Sequence, residues 1–369
     1  MGYKRQILSQ QSTFLCFIIK RRRPLHWARV KKELDIMNTQ KDLRWGIIGL
    51  GNIAHKMADA LSLTLGNQLY AVASKTPSKA DAFADKYSVQ HAFTYQEIVN
   101  CKEVDIIYVA TTHNFHFENA KLALEHGKHV LIEKAFTVNA KEARELVRIA
   151  REKKLFLMEA IWTRFLPSFK LLKEKIIQHE IGDLKQITIS FGKFVGPDYE
   201  RRLRDPALAG GATLDLGIYA ISFACYMLGE LPSDIKSMTN FGDMGADELS
   251  NYMFRFPSGC LANIMTSYNL NMINEAIIYG TTAYIVFPQF TVGEDFEIHK
   301  HEGTNHIKNV ENITEKNHAN GFVYQVEEVS RCINAGKLES DIIPLDETVG
   351  IMEVMDKMRE EWGFKYPFE

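Results

Sequence analysis

Trp45-Gly46-Ile47-Ile48-Gly49-Leu50-Gly51-Asn52-Ile53-Ala54 joins an apolar run to a helical pattern through the spacing Gly49-x-Gly51-x-x-Ala54. Read as a strand, a tight turn and a helix start, the stretch gives each small residue a use. Gly49 permits the turn, Gly51 lets a pyrophosphate approach the backbone, and Ala54 lets the helix lie close to the strand. The free N–H groups and dipole at the helix start, over Asn52 and Ile53, favour the phosphate charge. A plain glycine turn between strand and helix is the competing reading, so the rest of the chain has to decide.

From Leu43 to Met158 apolar strands alternate with helical patterns. Arg44–Leu50, Gln68–Ser74, Val104–Ala110, His129–Ile132 and Leu155–Met158 read as strands. Helices are expected from Ile53 to Leu65, from Pro77, over Tyr95–Asn100, Phe117–His126 and Ala140–Lys153. Such alternation implies an α/β fold with a doubly wound parallel sheet, the Rossmann arrangement. Beyond Glu159 the order changes. A helix over Pro167–His179 precedes a strand over Leu184–Gly192, and a helix is expected from about Thr213 to Leu228. Five strand-like runs follow without helices between them, from Ile235 to Phe287, and two helices close the chain, Gly321–Ala335 and Leu345–Trp362. That implies a C-terminal α+β domain with a large, mostly antiparallel open sheet. The expected domains are residues 37–158, binding NAD(P), and 159–369, for substrate, with residues 1–36 as a separate N-terminal extension. The segment His301–Thr314 reads as a polar, mobile loop.

Length and composition bound the function. The 369 residues suffice for two domains, and 46% hydrophobic with 24% charged residues is an ordinary globular balance. No apolar stretch reads as long enough for a membrane span. Five dispersed cysteines without a C-x-x-C pair suggest thiols in a reducing, cytoplasmic setting and no metal centre. The net charge is −2, but residues 1–36 hold nine Lys/Arg and two Asp/Glu, leaving about −9 on the remainder. That basic head reads as a transit peptide, a nucleic-acid arm or an overlong start; Met37, just before the first strand, is the favoured start. The body's charge gives no reason to expect nucleic acid as a partner.

Several polar residues fall at the carboxyl ends of strands, where open α/β sheets bind ligands. Ser74 and Lys75 follow the second strand, where an NAD site usually carries Asp or Glu. A hydroxyl beside an ammonium suits a 2′-phosphate instead, so NADP is expected over NAD, with a solvated lysine as the plain alternative. Thr111, His113 and His116 follow the next apolar strand, and Glu133-Lys134 ends the one after it, so these groups should face the cofactor crevice, Thr111, His116, Glu133 and Lys134 toward the dinucleotide and His113 toward the substrate. Asp215 and Tyr219, four apart on one helix, would face one site.

Together these motifs resemble the glucose–fructose oxidoreductase and inositol dehydrogenase (Gfo/Idh/MocA) family over nearly all of Leu43–Glu369. The likeness runs through Gly49-Leu50-Gly51-Asn52-Ile53-Ala54, Ala73-Ser74-Lys75, Glu97, Val109-Ala110-Thr111, His116 and Gly127–Lys134. The family's Glu-Lys-Pro is Glu133-Lys134-Ala135 here, which puts the geometry of that loop in question. Met158–Phe165, Asp205-Pro206-Ala207-Leu208 and Asp215-Leu216-Gly217-Ile218-Tyr219 are similar to the dihydrodiol dehydrogenase and NADP-linked xylose dehydrogenase branch. The resemblance implies NADP use, a homo-oligomer formed through the C-terminal sheet, and an apolar substrate wall at Trp162 and Phe191. Core packing is an equal role for Phe191. Arg201, Arg202 and Arg204 read equally as a solvated loop or as contacts to substrate or 2′-phosphate, with Arg202 the candidate for the substrate.

The expected reaction is NADP-dependent hydride transfer between a cyclic sugar, polyol or trans-dihydrodiol and nicotinamide. A dinucleotide-binding sensor without turnover is the alternative. Oxidising a secondary alcohol needs a base for its proton. A phenol is feeble near its free pKa of about 10, but a nearby ammonium lowers that value. Tyr219 is therefore the expected acid/base, with Lys134 tuning it and holding the substrate oxygen, and Asp215 orienting the lysine or a substrate hydroxyl; Lys134 as the proton carrier itself is the rival.

Overall fold

A computed structural model describes residues 41–196, 201–303 and 306–369. The expectation of a start at Met37 falls outside them, as does the basic head. The first sheet has six strands: β1 (Leu43–Ile48), β2 (Asn67–Ala73), β3 (His91–Phe93), β4 (Ile106–Val109), β5 (His129–Glu133) and β6 (Leu157–Ala160). All pairings are parallel, in the order β3-β2-β1-β4-β5-β6. Strand β1 is buried at Trp45, Ile47 and Ile48, which explains its unbroken apolar run. The order reverses between β1 and β4, and crevices for ligands open at such points. The three-residue edge strand β3 carried too short a pattern to be expected. Strand β6 ends at Ala160, two residues past the expected domain boundary.

The second sheet has eight strands: β7 (Leu184–Gly192), β8 (Asp234–Phe241), β9 (Asp247–Arg255), β10 (Leu261–Ser267), β11 (Glu275–Gly280), β12 (Ala283–Pro288), β13 (Asp295–His301) and β14 (Ile307–Thr314). Their order is β14-β13-β12-β11-β7-β10-β9-β8. Every pair is antiparallel except β7 with β10. The helix Ile218–Leu228 lies buried on one face. Along β9 the alternation is clear: Tyr252 and Phe254 are buried, whereas Met253 between them is 60% exposed.

Three expectations are corrected. Most of His301–Thr314 is strand, not loop: β14 pairs with β13 as the sheet edge, and Lys300 bridges to Glu311 at 3.0 Å. Its polar composition is that of an exposed edge strand, which hides the alternation on which a sequence reading relies. Second, the stretch Pro206–Leu228 does reach the length and hydropathy of a membrane span: its most apolar 18-residue window has a mean hydropathy of 1.4, and 83% of that window is buried inside the protein. It is apolar all round because protein surrounds it. Third, the helix expected from Thr213 opens as a π-helical turn, Thr213–Gly217, before α-helix begins at Ile218.

Candidate active site

The turn after β1 has the features a pyrophosphate requires. Gly49 sits at φ +92°, and a Cβ there would lie 2.7 Å from the Ala110 carbonyl carbon and the Thr111 nitrogen. Only glycine fits so close an approach. At Gly51 a Cβ would meet nothing within 4 Å, so the backbone is open on that side. Gly51 also caps the helix Asn52–Leu63, which has no side-chain cap and no acidic residue in its first turn. Its leading N–H groups remain available to an anion. Ala54 is fully buried and serves the helix-to-strand packing, without facing the cleft. The residues present fit a dinucleotide.

At the end of β2, Ser74 Oγ accepts from Thr76 N at 3.1 Å and keeps its own proton to donate. The exposed Lys75 places Nζ 4.3 Å from the Phe115 ring centroid. The cation thus stands over an aromatic face at the carboxyl edge of the sheet.

Two residues expected to touch the cofactor are enclosed instead. His116 is fully buried, with Nδ1 2.8 Å from the Ala135 carbonyl and Nε2 3.0 Å from that of Thr111. Burial holds its pKa down to about 4, so the neutral ring donates to one carbonyl at a time and ties the loops after β4 and β5 together. Glu133 is 5% exposed. Its carboxylate accepts from the Tyr108 hydroxyl and from Lys134 N, and burial pushes its pKa up to about 7. His116 thus meets two backbone carbonyls, and Glu133 holds a buried hydroxyl and the Lys134 backbone N–H. The Lys134–Ala135 peptide bond is cis although no proline follows the lysine.

Beside that loop, Lys134 Nζ donates to Asp215 Oδ1 at 2.6 Å and to the Asp215 carbonyl at 2.8 Å. Burial works against the ammonium, but Asp215 and Tyr219 prevail and hold the Lys134 pKa above its ordinary value. Asp215 resists burial in the same way: Lys134 first, then Lys193 and His113, keep its carboxyl well below the usual carboxylate range. Lys134 Nζ also lies 4.9 Å from the Tyr219 ring centroid. Tyr219 Oη accepts from Trp162 Nε1 at 3.1 Å, and its ring meets Phe191 edge to face at 6.1 Å. Among the described residues the phenolic proton has no acceptor.

The electrostatic expectation for Tyr219 is corrected in sign. Burial pushes its pKa up to about 12, outweighing the downward pull of Lys134. His113 lies at the same place, Nδ1 3.3 Å from the Ala209 carbonyl, and burial with the His116 and Lys134 charges lowers its pKa to about 3. It is neutral at physiological pH. The arginines divide: Arg201 pairs with Asp205 at 2.7 Å and Arg204 with Glu248 at 2.5 Å, while Arg202 is exposed.

Two members of the cluster escaped the sequence reading. Tyr268 Oη donates to Asp215 Oδ2 at 2.6 Å, and Lys193 Nζ stands 3.5 Å from the same oxygen. Each follows the carboxyl end of its strand, β10 and β7, and these two strands run parallel. Their ends therefore emerge at one edge, beside Asp215. The position at a strand end was legible; the parallel pairing that unites the two ends was not.

Residues 43–161 match the model of the oxidoreductase family with an NAD-binding Rossmann fold, and residues 169–286 match the Gfo/Idh/MocA C-terminal domain. The chain belongs to the Gfo/Idh/MocA oxidoreductase family. It is 32% identical over 349 residues to trans-1,2-dihydrobenzene-1,2-diol dehydrogenase of Mus musculus, covering 88% of this chain and 98% of that protein. It is 33% identical over 365 residues to D-xylose 1-dehydrogenase (NADP(+)) of Hypocrea jecorina, covering 88% and 93%. Among solved structures it is similar to aldose-aldose oxidoreductase from Caulobacter crescentus in complex with glycerol. There the TM-score is 0.78 and the identity 23%, over 88% of this chain and 99% of that one. A 3-ketoreductase from Actinomadura kijaniata holding NADP gives a TM-score of 0.77 at 22% identity, over 87% and 98%. As a family member with dehydrogenases for relatives, the chain is an oxidoreductase, and the sensor reading gives way to an enzyme.

Proposed function

We propose that this protein is an NADP-dependent dehydrogenase/reductase acting on an alcohol or hemiacetal carbon of a cyclic sugar, polyol or trans-dihydrodiol. We assign the proton transfer to Tyr219. The observation that carries this assignment is the Trp162 Nε1–H···Oη bond at 3.1 Å. It fills an acceptor position of the phenol oxygen and leaves the phenolic proton to point elsewhere, toward a bound oxygen. A phenol with a pKa near 12 keeps that proton until a forming alkoxide demands it, and takes it back from an alcohol only as the pH rises.

The bound nicotinamide supplies the hydride acceptor or donor. Lys134 spends two of its three donors on Asp215 and directs the third at the substrate oxygen. Asp215, held by Tyr268 and Lys193 as well, fixes where that ammonium stands. His113 offers a neutral ring to a substrate hydroxyl, and Trp162 with Phe191 provides an apolar wall for the substrate ring. Ser74 and Lys75 bind the 2′-phosphate, which selects NADP over NAD. Arg202 guards the rim.

The relatives support both substrate kinds, since one acts on a trans-dihydrodiol and another on D-xylose. The test is a screen of pyranoses, inositols and trans-dihydrodiols with NADP and with NAD, followed by nicotinamide absorbance. Turnover of a ring alcohol with NADP preferred is expected; turnover with NAD preferred would contradict the cofactor assignment. Copies of the chain associate, in this reading, through the open face of the large sheet, where Met238 and Met253 stand 77% and 60% exposed. A monomeric mass by light scattering would contradict that.

A further inference from the structure

Beneath Asp215 lies a buried carboxylate that the chemistry above does not use. Asp247, the first residue of β9, is 2% exposed. Its Oδ2 accepts from Thr213 N at 2.7 Å and from Thr213 Oγ1 at 2.5 Å. Thr213 opens the π-helical turn that carries Asp215 two residues later. A helical segment begins with N–H groups that lack partners in the helix, and here a strand 34 residues away in sequence supplies the cap. The fit is close: at Gly211, with φ +139°, a Cβ would lie 2.2 Å from Asp247 Oδ1. Thr213 Oγ1 also meets Tyr252 Oη at 2.7 Å, and Tyr252 Oη meets Thr266 Oγ1 at 2.7 Å. The chain of bonds thus reaches from the turn into β9 and β10.

The next residue works on the other side of Asp215. The Glu248 carbonyl accepts from Tyr268 N at 2.7 Å and from Ser267 Oγ at 3.2 Å. Tyr268 is the residue whose hydroxyl donates to Asp215 Oδ2. One dipeptide at the start of β9 therefore holds both the turn bearing Asp215 and the tyrosine bonded to it. A π-helical turn is uncommon and tends to persist at functional sites, because it aims a side chain that regular helix would aim elsewhere.

We propose that Asp247 is a positioning residue: through Thr213 it sets the π-helical turn so that Asp215 meets Lys134. The inference rests on Asp215 and Lys134 forming the reactive centre. Asp247 touches neither substrate nor cofactor, so its loss should act on the rate and leave dinucleotide affinity alone.

The experiment compares Asp247→Ala, Asp247→Asn and Thr213→Val with wild type. It uses NADP and the better substrate of D-xylose and trans-1,2-dihydrobenzene-1,2-diol. Asp247→Ala should lower kcat roughly 10- to 100-fold, as a displacement of about 1 Å does, with NADP dissociation changed less than about twofold. Asp247→Asn keeps an acceptor for Thr213 and should recover most of the rate, and Thr213→Val should fall between. In an Asp215→Asn background, Asp247→Ala should cost nothing further, because the two act along one path. A crystal structure of Asp247→Ala should show the Lys134–Asp215 contact lengthened from 2.6 Å. Multiplicative losses in the double variant, or an unmoved Lys134–Asp215 contact, would overturn the inference. If Asp215→Asn alone left kcat intact, the reading of the reactive centre would fail instead. Should Asp247→Ala not fold, Thr213→Val against Thr213→Ser carries the same comparison.

Discussion

Tyr219 shows how two effects of opposite sign settle a residue's chemistry. The ammonium of Lys134, 4.9 Å from the ring centroid, favours the phenolate, while burial and the Glu133 charge favour the phenol. Burial is the larger effect, so the phenol is the resting form. The identity of the group and its neighbour was legible in the chain; the net sign was not, because it depends on how much protein surrounds the oxygen. The same holds for His116, whose place after a strand suggests ligand contact but whose two nitrogens face the carbonyls of Ala135 and Thr111. Lys134→Met removes the downward pull on Tyr219. The pH at which the oxidation rate reaches half its plateau should therefore rise, and the rate at neutral pH should fall by about tenfold or more. A pH profile that stays put or moves to lower pH would show that Lys134 does not tune the phenol.

At the scale of elements, the turn after β1 was readable because Gly49 has no room for a Cβ and Gly51 leaves the backbone open. The π-helical turn at Thr213–Gly217 was not readable, since its cap comes from Asp247 in another strand. Nor was the edge strand β14, whose polar residues resemble those of a loop. The loop after β2 sets cofactor choice. Lys75 is exposed beside Phe115, so its attraction for a 2′-phosphate is partly screened. Lys75→Glu should weaken NADP binding by roughly tenfold or more through the lost charged hydrogen bond and added repulsion, and leave NAD nearly unchanged. Calorimetric titration with each dinucleotide checks this, and an equal loss for both would remove Lys75 from the 2′-phosphate site.

Over the whole molecule, the cluster draws on the parts of the chain that carry both sheets. Lys134 comes from the end of β5; Asp215 and Tyr219 come from the helical segment lying on the large sheet; Tyr268 and Lys193 come from the adjoining ends of β10 and β7. Neither sheet alone holds the set, which is why 81 residues separate the partners of the Lys134–Asp215 bond. The β-α alternation made the first sheet legible and the run of strands made the second, whereas the partners that cross between them are set by the three-dimensional packing alone. The phenolic proton of Tyr219 is the centre of the proposed chemistry. Tyr219→Phe removes one oxygen and leaves the ring against Phe191, so folding and NADP affinity should survive. With the substrate found in the cofactor screen, kcat should fall about 10²- to 10⁴-fold while KM changes little. Near-normal kcat in Tyr219→Phe, with Lys134→Met inactive, would contradict the account and give the proton to Lys134.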